Sequence, residues 1–468
     1  MQYNSANGSA GNSLSYYSNE EHISDSVDAN KCQQNSGSYA QESSHSSSLS
    51  SSNRKVSLRD FVLLKVIGKG SFGKVMQVKK KDNGCIYAMK VLHKANIVKR
   101  NQVEHTRTER NVLGRIVHPF IVGLNYAFQT KDRLYFVLDY CAGGELFFHL
   151  GREGRFPEQR SKFYAAQLVL ALEHLHTLDV VYRDLKPENV LLDQQGYVRL
   201  TDFGLSKENI RSTDSGAHSF CGTPEYLAPE VLNRQGHGRA VDWWSLGALL
   251  YEMLTGLPPF YCKDRHKLYK RIKEGQLDFP NDMSPEAKDL LIQLLDRDPT
   301  RRLGSGPSDA NEVKAHPFFR DVDWDALLDC RIDPPWKPPV HSTTDTSQFD
   351  EEFTSMPLHS PSSYREHGIT PSMQSRTNFE GFTFVAPTTF GTTAQATASR
   401  ARSESGAAAV LARAQGANGA YSVAEDVIPE QTTTRRSVHD DEVTMAENVA
   451  GETHSDSFHD TAMSISAQ

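Results

Sequence analysis

The chain has 468 residues, a formal net charge of −7 and 23% charged residues. That length suits one large domain or two to three ordinary ones. A charge this mild, with no block of a single sign, speaks against a nucleic-acid binder or a membrane-surface binder.

Residues 1–55 are rich in serine, asparagine, glutamine and glycine, as in "SSHSSSLSSSN", and carry too little apolar surface to fold, so a disordered tail is expected. From Phe61 the pattern changes. "FVLLKV" runs into "IGKGSFGKV", with glycines at positions 68, 70 and 73, and the continuation "KVMQVKKKDNGCIYAMKVL" alternates, turns at "DNG" and alternates again. This is a β-hairpin pattern. A G-x-G-x-x-G loop lets backbone approach a phosphate, because no Cβ intervenes. Between two strands it is not a Rossmann turn, and alone it fits a nucleotide flap and a plain hairpin about equally. Residues 58–141 hold further strand-like runs ("CIYAMKVL", "LYFVLDY") around one helical stretch containing "QVEHTRTERNVL". Residues 144–320 are mostly helical, with "RSKFYAAQLVLALEHLH", "VDWWSLGALLYEML" and "PEAKDLLIQLL" as the clearest runs. "WWSLGALLYEML" is apolar nearly all round, which predicts a helix at a domain's centre. Beyond Phe390 periodicity is lost again, and residues 386–468 are expected to be a second disordered tail.

The six cysteines (Cys32, Cys85, Cys141, Cys221, Cys262, Cys330) lie far apart, with no C-x-x-C pair and no histidines at zinc spacing, so they read as reduced thiols. The polar Met-Gln start lacks signal-peptide and myristoylation features, and no apolar run nears the ~20 residues that span a bilayer. The expected location is the cytoplasm or the nucleus, without a transmembrane segment.

The chemistry is concentrated where the β-rich part meets the helical part. There "VVYRDLKPENVLLD" is followed by "VRLTDFGLSKE", which places Asp184, Lys186, Asn189 and Asp202 close together in sequence. A carboxylate, a cation and two further oxygen ligands for magnesium are what phosphoryl transfer needs. With the "AMK" lysine upstream, they make the glycine loop a phosphate-covering flap.

On these residues the chain resembles the eukaryotic protein kinases, continuously from Phe61 to Phe319. The resemblance implies an α+β, bilobal fold: a small β-rich N-lobe at 61–140 with one key helix and a larger helical C-lobe at 141–319. It implies ATP and Mg2+ as cofactors, with the ATP site formed by Ile67, Gly68, Lys69, Gly70, Ser71, Phe72, Gly73, Val75, Ala88, Lys90, Glu109, Asp139 and Cys141. Glu109 would anchor Lys90, and Asp184, Lys186 and Asn189 would be catalytic, with Asn189 and Asp202 holding magnesium. "DLKPEN" and Thr223 in "GTPEY" are similar to serine/threonine kinases. Tyr182, where histidine is usual, is habitual in the AGC branch. "DTSQFDEEF", "PLHSP" and "NFEGFTF" look like that branch's C-terminal tail over residues 320–385, and the closest group is protein kinase B, ribosomal S6 kinase and SGK. The alternative of an inactive pseudokinase scaffold is disfavoured, since Lys90, Asp184 and Asp202 are all present.

The same resemblance implies protein substrates with basic residues before the phosphoacceptor, read by Glu145, Glu188 and Glu252, with Thr223 beside the substrate. Phosphorylation is expected at Ser219, Ser360 and Thr383, the first by an upstream kinase similar to the phosphoinositide-dependent kinase, with its phosphate drawn to Arg183, His105 and Lys207. Phe379, Phe382 and Phe384 would dock into a groove on the small lobe, formed by the helix bearing Glu109. The enzyme is expected to be a monomer.

Overall fold

A computed structural model describes residues 55–70, 73–208, 210, 221–358 and 379–387. Ser71, Phe72, Ser219, Ser360 and most of both expected disordered tails lie outside the described residues. The small lobe begins with β1 (Phe61–Gly70), β2 (Gly73–Lys80) and β3 (Ile86–His93), continues through α1 (Lys94–Lys99) and α2 (Val103–Arg115), and ends with β4 (Leu124–Gln129) and β5 (Arg133–Asp139). The larger lobe comprises β6 (Gly144–Glu145), α3 (Leu146–Glu153), α4 (Glu158–Thr177), β7 (Val190–Leu192), β8 (Val198–Leu200), α5 (Pro229–Leu232), α6 (Ala240–Thr255), α7 (Arg265–Glu274), α8 (Pro285–Leu294), α9 (Ala310–Lys314) and α10 (Trp324–Leu328). The tail adds α11 (Glu351–Thr354) and β9 (Phe384–Val385).

The sheet runs β1-β2-β3-β5-β4-β9, and every pairing in it is antiparallel. Alternation in β2 and β3 buries Met76, Val78, Met89 and Val91 on one face of the sheet, while the opposite face, which carries Lys90 and Leu92, meets α2, whose Thr106, Glu109, Val112 and Leu113 are buried at helical spacing. Sequence pattern predicted one small-lobe helix, whereas the structure has two. The extra one, α1, is only six residues long, too short to show a period, and is held by buried Ile97 and by Lys94, whose Nζ donates to Gln129 Oε1 at 2.7 Å. The larger lobe likewise carries a three-stranded sheet, β6-β7-β8, whose strands are too short to be read from alternation.

The α6 helix is buried along almost its whole length, as its apolar run requires, and stops at Gly256 with φ +91. A Cβ there would lie 2.5 Å from the Gly154 carbonyl oxygen, so both the left-handed turn and the close approach call for glycine. The acid in the first turn of this largely apolar helix organises the lobe. Asp242 is fully buried and accepts from the backbone N–H groups of Tyr182 and Arg183, each at 2.8 Å, and its Oδ2 lies 3.0 Å from His176 Nε2. The other His176 nitrogen lies 2.9 Å from Asp309, which also accepts from Trp243 Nε1 at 2.9 Å. Burial works against a charge on His176, yet the two carboxylates outweigh it and push the imidazole up to about 9. A second buried pair, Arg302 bidentate on Glu230 at 2.7 and 2.9 Å, ties the chain after α8 to α5.

His176 is raised from its ordinary value of 6.5, so its contribution to stability is complete below about 6.5 and is lost as pH rises through about 9. Urea unfolding followed from pH 6 to 10 should show stability falling across that window, and the fall should be largely absent in His176→Gln. An unchanged alkaline slope in the variant would rule out this role.

Candidate active site

Lys90 extends from β3 to meet Glu109 of α2, Nζ to Oε1 at 2.7 Å, and Asp202 from beyond β8, Nζ to Oδ1 at 3.4 Å. Burial opposes the ammonium, but Asp202 and then Glu109 outweigh it and hold Lys90 above its ordinary value, so it stays charged. Lys90 in turn holds the Asp202 carboxyl below its ordinary value. Asp202 remains half exposed at the cleft and sits at φ +56, and Arg183 beside Asp184 sits at φ +68. Two non-glycine residues in the left-handed region at one locus mark backbone strain held by its surroundings.

Asp184 is gripped by three donors. Lys186 Nζ lies 3.0 Å from its Oδ2, Asn189 Nδ2 lies 2.9 Å from the same atom and 2.8 Å from the Asp184 carbonyl, and Thr223 Oγ1 lies 3.4 Å from Oδ1. Lys186 also donates to Thr223 at 2.8 Å. Burial pushes Asp184 above its ordinary value against the pull of Lys186 and Asn189. Because the Asn189 amide nitrogen is committed to Asp184, its oxygen is the side chain's remaining acceptor. Among the described residues no hydrogen bond occupies Asp202 Oδ2 either, since Lys90 and the Gly204 N–H both reach Oδ1. These two oxygens fit a magnesium ion. Thr223, expected beside the substrate, is bonded to the catalytic pair itself.

The glycine loop is the β1–β2 connection, with Gly68 opposite Val75, Lys69 opposite Lys74 and Gly70 opposite Gly73. Only Gly73 is required by packing: a Cβ there would lie 1.7 Å from the Val91 carbonyl oxygen. At Gly68 a Cβ would meet only Val75 at ordinary contact distance, and at Gly70 nothing within 4 Å. The protein itself leaves space over these two glycines, as a loop covering a phosphate needs. Ile67 is buried and Val75 and Ala88 are half-buried beneath the flap. The Asp139 carboxylate is used internally, accepting from Gly123 N at 2.9 Å and Asn125 Nδ2 at 2.8 Å. At Cys141, burial pushes the thiol up, so it remains protonated.

Glu145, Glu188 and Glu252 form one acidic cluster, joined by two residues that sequence reasoning missed, Glu225 and Asp350. Burial, with Glu188 and Asp350 nearby, pushes Glu145 up to about 7. Burial also pushes Glu252 up to about 7, helped by Glu188 and Glu225 although the Tyr226 hydroxyl donates to it. A buried Glu188 oxygen has no hydrogen-bond partner among the described residues. Asp350 caps α11 and Glu225 lies in a short turn, so neither carried a sequence signal of its own. Arg183, beside Asp184 in the chain, belongs to a separate basic cluster, where burial, Arg183 and Lys207 together push the His105 imidazole down.

The tail aromatics seat against the small lobe. Phe379 and Phe382 are 1% and 3% exposed, and the Phe382 ring meets Phe136 edge-on at 5.1 Å. Gln129 Nε2 donates to the Phe379 carbonyl at 2.7 Å, and Arg110, next to Glu109, donates to the carbonyls of Phe382 and Thr383 at 3.2 and 3.3 Å. β9 pairs with β4, and the Thr383 side chain is exposed. Farther back along the tail, Phe349 stacks on Tyr140 at 5.8 Å, and α11 packs against β1.

A protein kinase domain profile matches residues 61–319, and a protein kinase C terminal domain profile matches residues 340–384. The RAC family serine/threonine-protein kinase homolog of Dictyostelium discoideum is 54% identical over 332 residues, covering 71% of this chain and 73% of that protein. The RAC-beta serine/threonine-protein kinase of Homo sapiens is 50% identical over 340 residues, with 72% and 70% covered. The serine/threonine-protein kinase YPK1 of Saccharomyces cerevisiae is 54% identical over 336 residues, with 72% and 48% covered. Together with the bilobal fold and the cleft between its lobes, this similarity places the chain among the protein kinases, in the AGC branch of serine/threonine kinases, which use ATP with Mg2+.

Proposed function

We propose that this kinase phosphorylates serine and threonine in proteins that carry arginine three residues before the acceptor, and that its output is set by phosphorylation of its own loop and tail. The observation that carries the substrate reading is the acidic cluster: Glu145, Glu188, Glu225, Glu252 and Asp350 have no cation in salt-bridge contact among the described residues, and burial holds two of them near 7. Uncompensated, half-buried carboxylates are costly, and a guanidinium supplied by a substrate would relieve that cost through bidentate bonds. A peptide-library assay with the activated enzyme tests it directly, and indifference to arginine at that position would reject it.

In the reaction, Asp184 orients the substrate hydroxyl and takes its proton, while Lys186 balances the charge of the phosphoryl group in flight. Lys90, kept charged and aimed by Glu109, holds the α- and β-phosphates, and Asn189 and Asp202 hold magnesium. When bound there, magnesium would supply positive charge against the phosphates. Catalysis is then positioning and electrostatic stabilisation, with no covalent enzyme intermediate. A phosphate on Ser219, placed by an upstream kinase similar to the phosphoinositide-dependent kinase, would meet Arg183, His105 and Lys207. Ser360 would pin the tail, and a phosphate on Thr383 would find Arg110, which already bonds the Thr383 carbonyl. The working form is a monomer in the cytoplasm or nucleus.

Three outcomes follow. Lys90→Met and Asp202→Ala should each leave at most a few per cent of wild-type kcat/KM; Asp202→Ala should do so with melting temperature nearly unchanged, because that side chain is half exposed at the cleft, whereas Lys90→Met leaves Glu109 buried without its cation and should lower it. Glu145 and Glu252 are protonated below about 7 and charged above it, so KM for an arginine-bearing peptide should fall as pH rises from 6 to 8. Glu145→Gln should raise that KM by roughly tenfold or more and flatten its pH dependence, and a KM insensitive to both would overturn the assignment. Phe379→Ala/Phe382→Ala should lower kcat of enzyme already phosphorylated on Ser219, since each ring buried is worth about 1.5–3 kcal/mol of docking. Wild-type rates in that double variant would show that the tail does not act on its own lobe.

A further inference from the structure

The even balance of charge along the sequence hides two opposed concentrations. One is on α7 and the residues just before it, where Lys263, Arg265, His266, Lys267, Lys270, Arg271 and Lys273 follow one another and all are exposed. Leu268 and Ile272 bury one side of this helix, and Lys270, with His266 and Lys273 flanking it, lies on the opposite side. None of the six lysines and arginines forms an ion pair with a described residue. The Asp264 carboxylate is used as the N-cap, accepting from Lys267 N at 2.8 Å, and the only other nearby acid on the helix is Glu274 at its end. Arg265, His266 and Lys267 stand in the first turn, at the positive end of the helix dipole, with no acid among them. Lys267 and Lys270, Lys267 and Arg271, and Lys270 and Lys273 are like charges at helix-neighbour spacing. Arg271 donates to the Tyr261 carbonyl at 2.6 Å, Arg265 lies over the Tyr269 ring at 5.8 Å, and Arg271 and Lys273 suit the helix's last turn, but Lys263, Lys267 and Lys270 have no such compensation, and with them the face calls for an anion from elsewhere.

The second concentration is "DDEVTMAENVAGETHSDSFHD", residues 440–460, outside the described residues. Its seven carboxylates, with no lysine or arginine, equal the net charge of −7 carried by the whole chain. The 52 residues between Pro387 and Asp440 can span at most about 170–190 Å, while a domain of this size is on the order of 50 Å across. Reach is therefore no obstacle, and tethering raises the local concentration of the segment at the helix.

We propose that the exposed basic face of α7 is the docking site of the chain's own acidic segment, residues 440–460. The contact is between surface charges and is screened by salt. It is independent of the substrate reading of the acidic cluster, because α7 contributes no residue to that cluster.

Zero-length carbodiimide coupling of the full chain, with the joined peptides identified by mass spectrometry, tests the proposal. Amide links should form between Lys267, Lys270 or Lys273 and the carboxylates of 440–460, in a product of monomer size, with yield falling about tenfold or more between about 50 mM and about 500 mM salt. Lys267→Glu/Lys270→Glu/Lys273→Glu should lose the links, and adding Asp440→Lys/Asp441→Lys/Glu442→Lys to the same chain should restore coupling with reversed polarity. Activity on a short peptide should be unchanged in both, which also reports that the variants fold. Absence of the links, equal yield in the triple variant, or links only in a product of dimer size would overturn the proposal. So would binding of the full chain to vesicles of equal parts phosphatidylcholine and phosphatidylserine, lost in the triple variant and unaccompanied by coupling, which would assign the face to an anionic membrane.

Discussion

The contact on which the most else depends is the ion pair between Lys90 and Glu109. It crosses from a strand to a helix, and Glu109 is 4% exposed, so removing either partner would strand a charge out of water. Its larger effect is positional. With Glu109 fixed, α2 presents His105 one turn earlier toward Arg183 and Lys207, and Arg110 one residue later toward the tail carbonyls. One helix thereby meets the cleft, the basic residues Arg183 and Lys207 and the C-terminal tail at once.

On the other side of the cleft the same job is done by Asp242. The backbone around Arg183 and Asp184 is strained, with Arg183 at φ +68, and such a loop does not hold its own shape. Two backbone donors converge on one buried carboxylate, which is itself fixed by His176 and through it by Asp309. Asp184 can therefore be both rigid and chemically available: its neighbours orient it, and the strain of holding them is absorbed by the packed centre of the larger lobe.

Legibility followed locality. The glycine loop, the lysine of β3, the Asp-Leu-Lys-Pro-Glu-Asn run and the Asp-Phe-Gly run each act within a few residues, and each could be read, as could α2, α4, α6 and α8 from their long periods. Groups that work across large separations were hidden: Asp242 and His176 are 66 residues apart, and neither follows a spacing rule. The acid in the first turn of a largely apolar helix was the one available signal, since a buried carboxylate needs partners. Glu225 and Asp350 were missed for the same reason: Glu225 is brought to Glu252 by the packing of the 224–226 turn against α6, and Asp350 to Glu145 by the return of the tail. Short elements such as α1 and β6 to β8 owe their form to what they pack against, so their own sequences carry little of it.

The pairing of β9 with β4 has a consequence for the protein as a material. In a sheet ordered β1-β2-β3-β5-β4, strand β4 would be a bare edge, and beside it would lie the slot that Phe379 and Phe382 fill. Unpaired N–H and C=O groups next to an apolar groove are what foreign strands add to, and sheet proteins commonly guard against this with edge prolines, lysines or bulges. Here the guard is a strand two residues long supplied by the chain's own tail, so the shielding of that edge against self-association rests on a two-residue pairing and the two rings seated beside it.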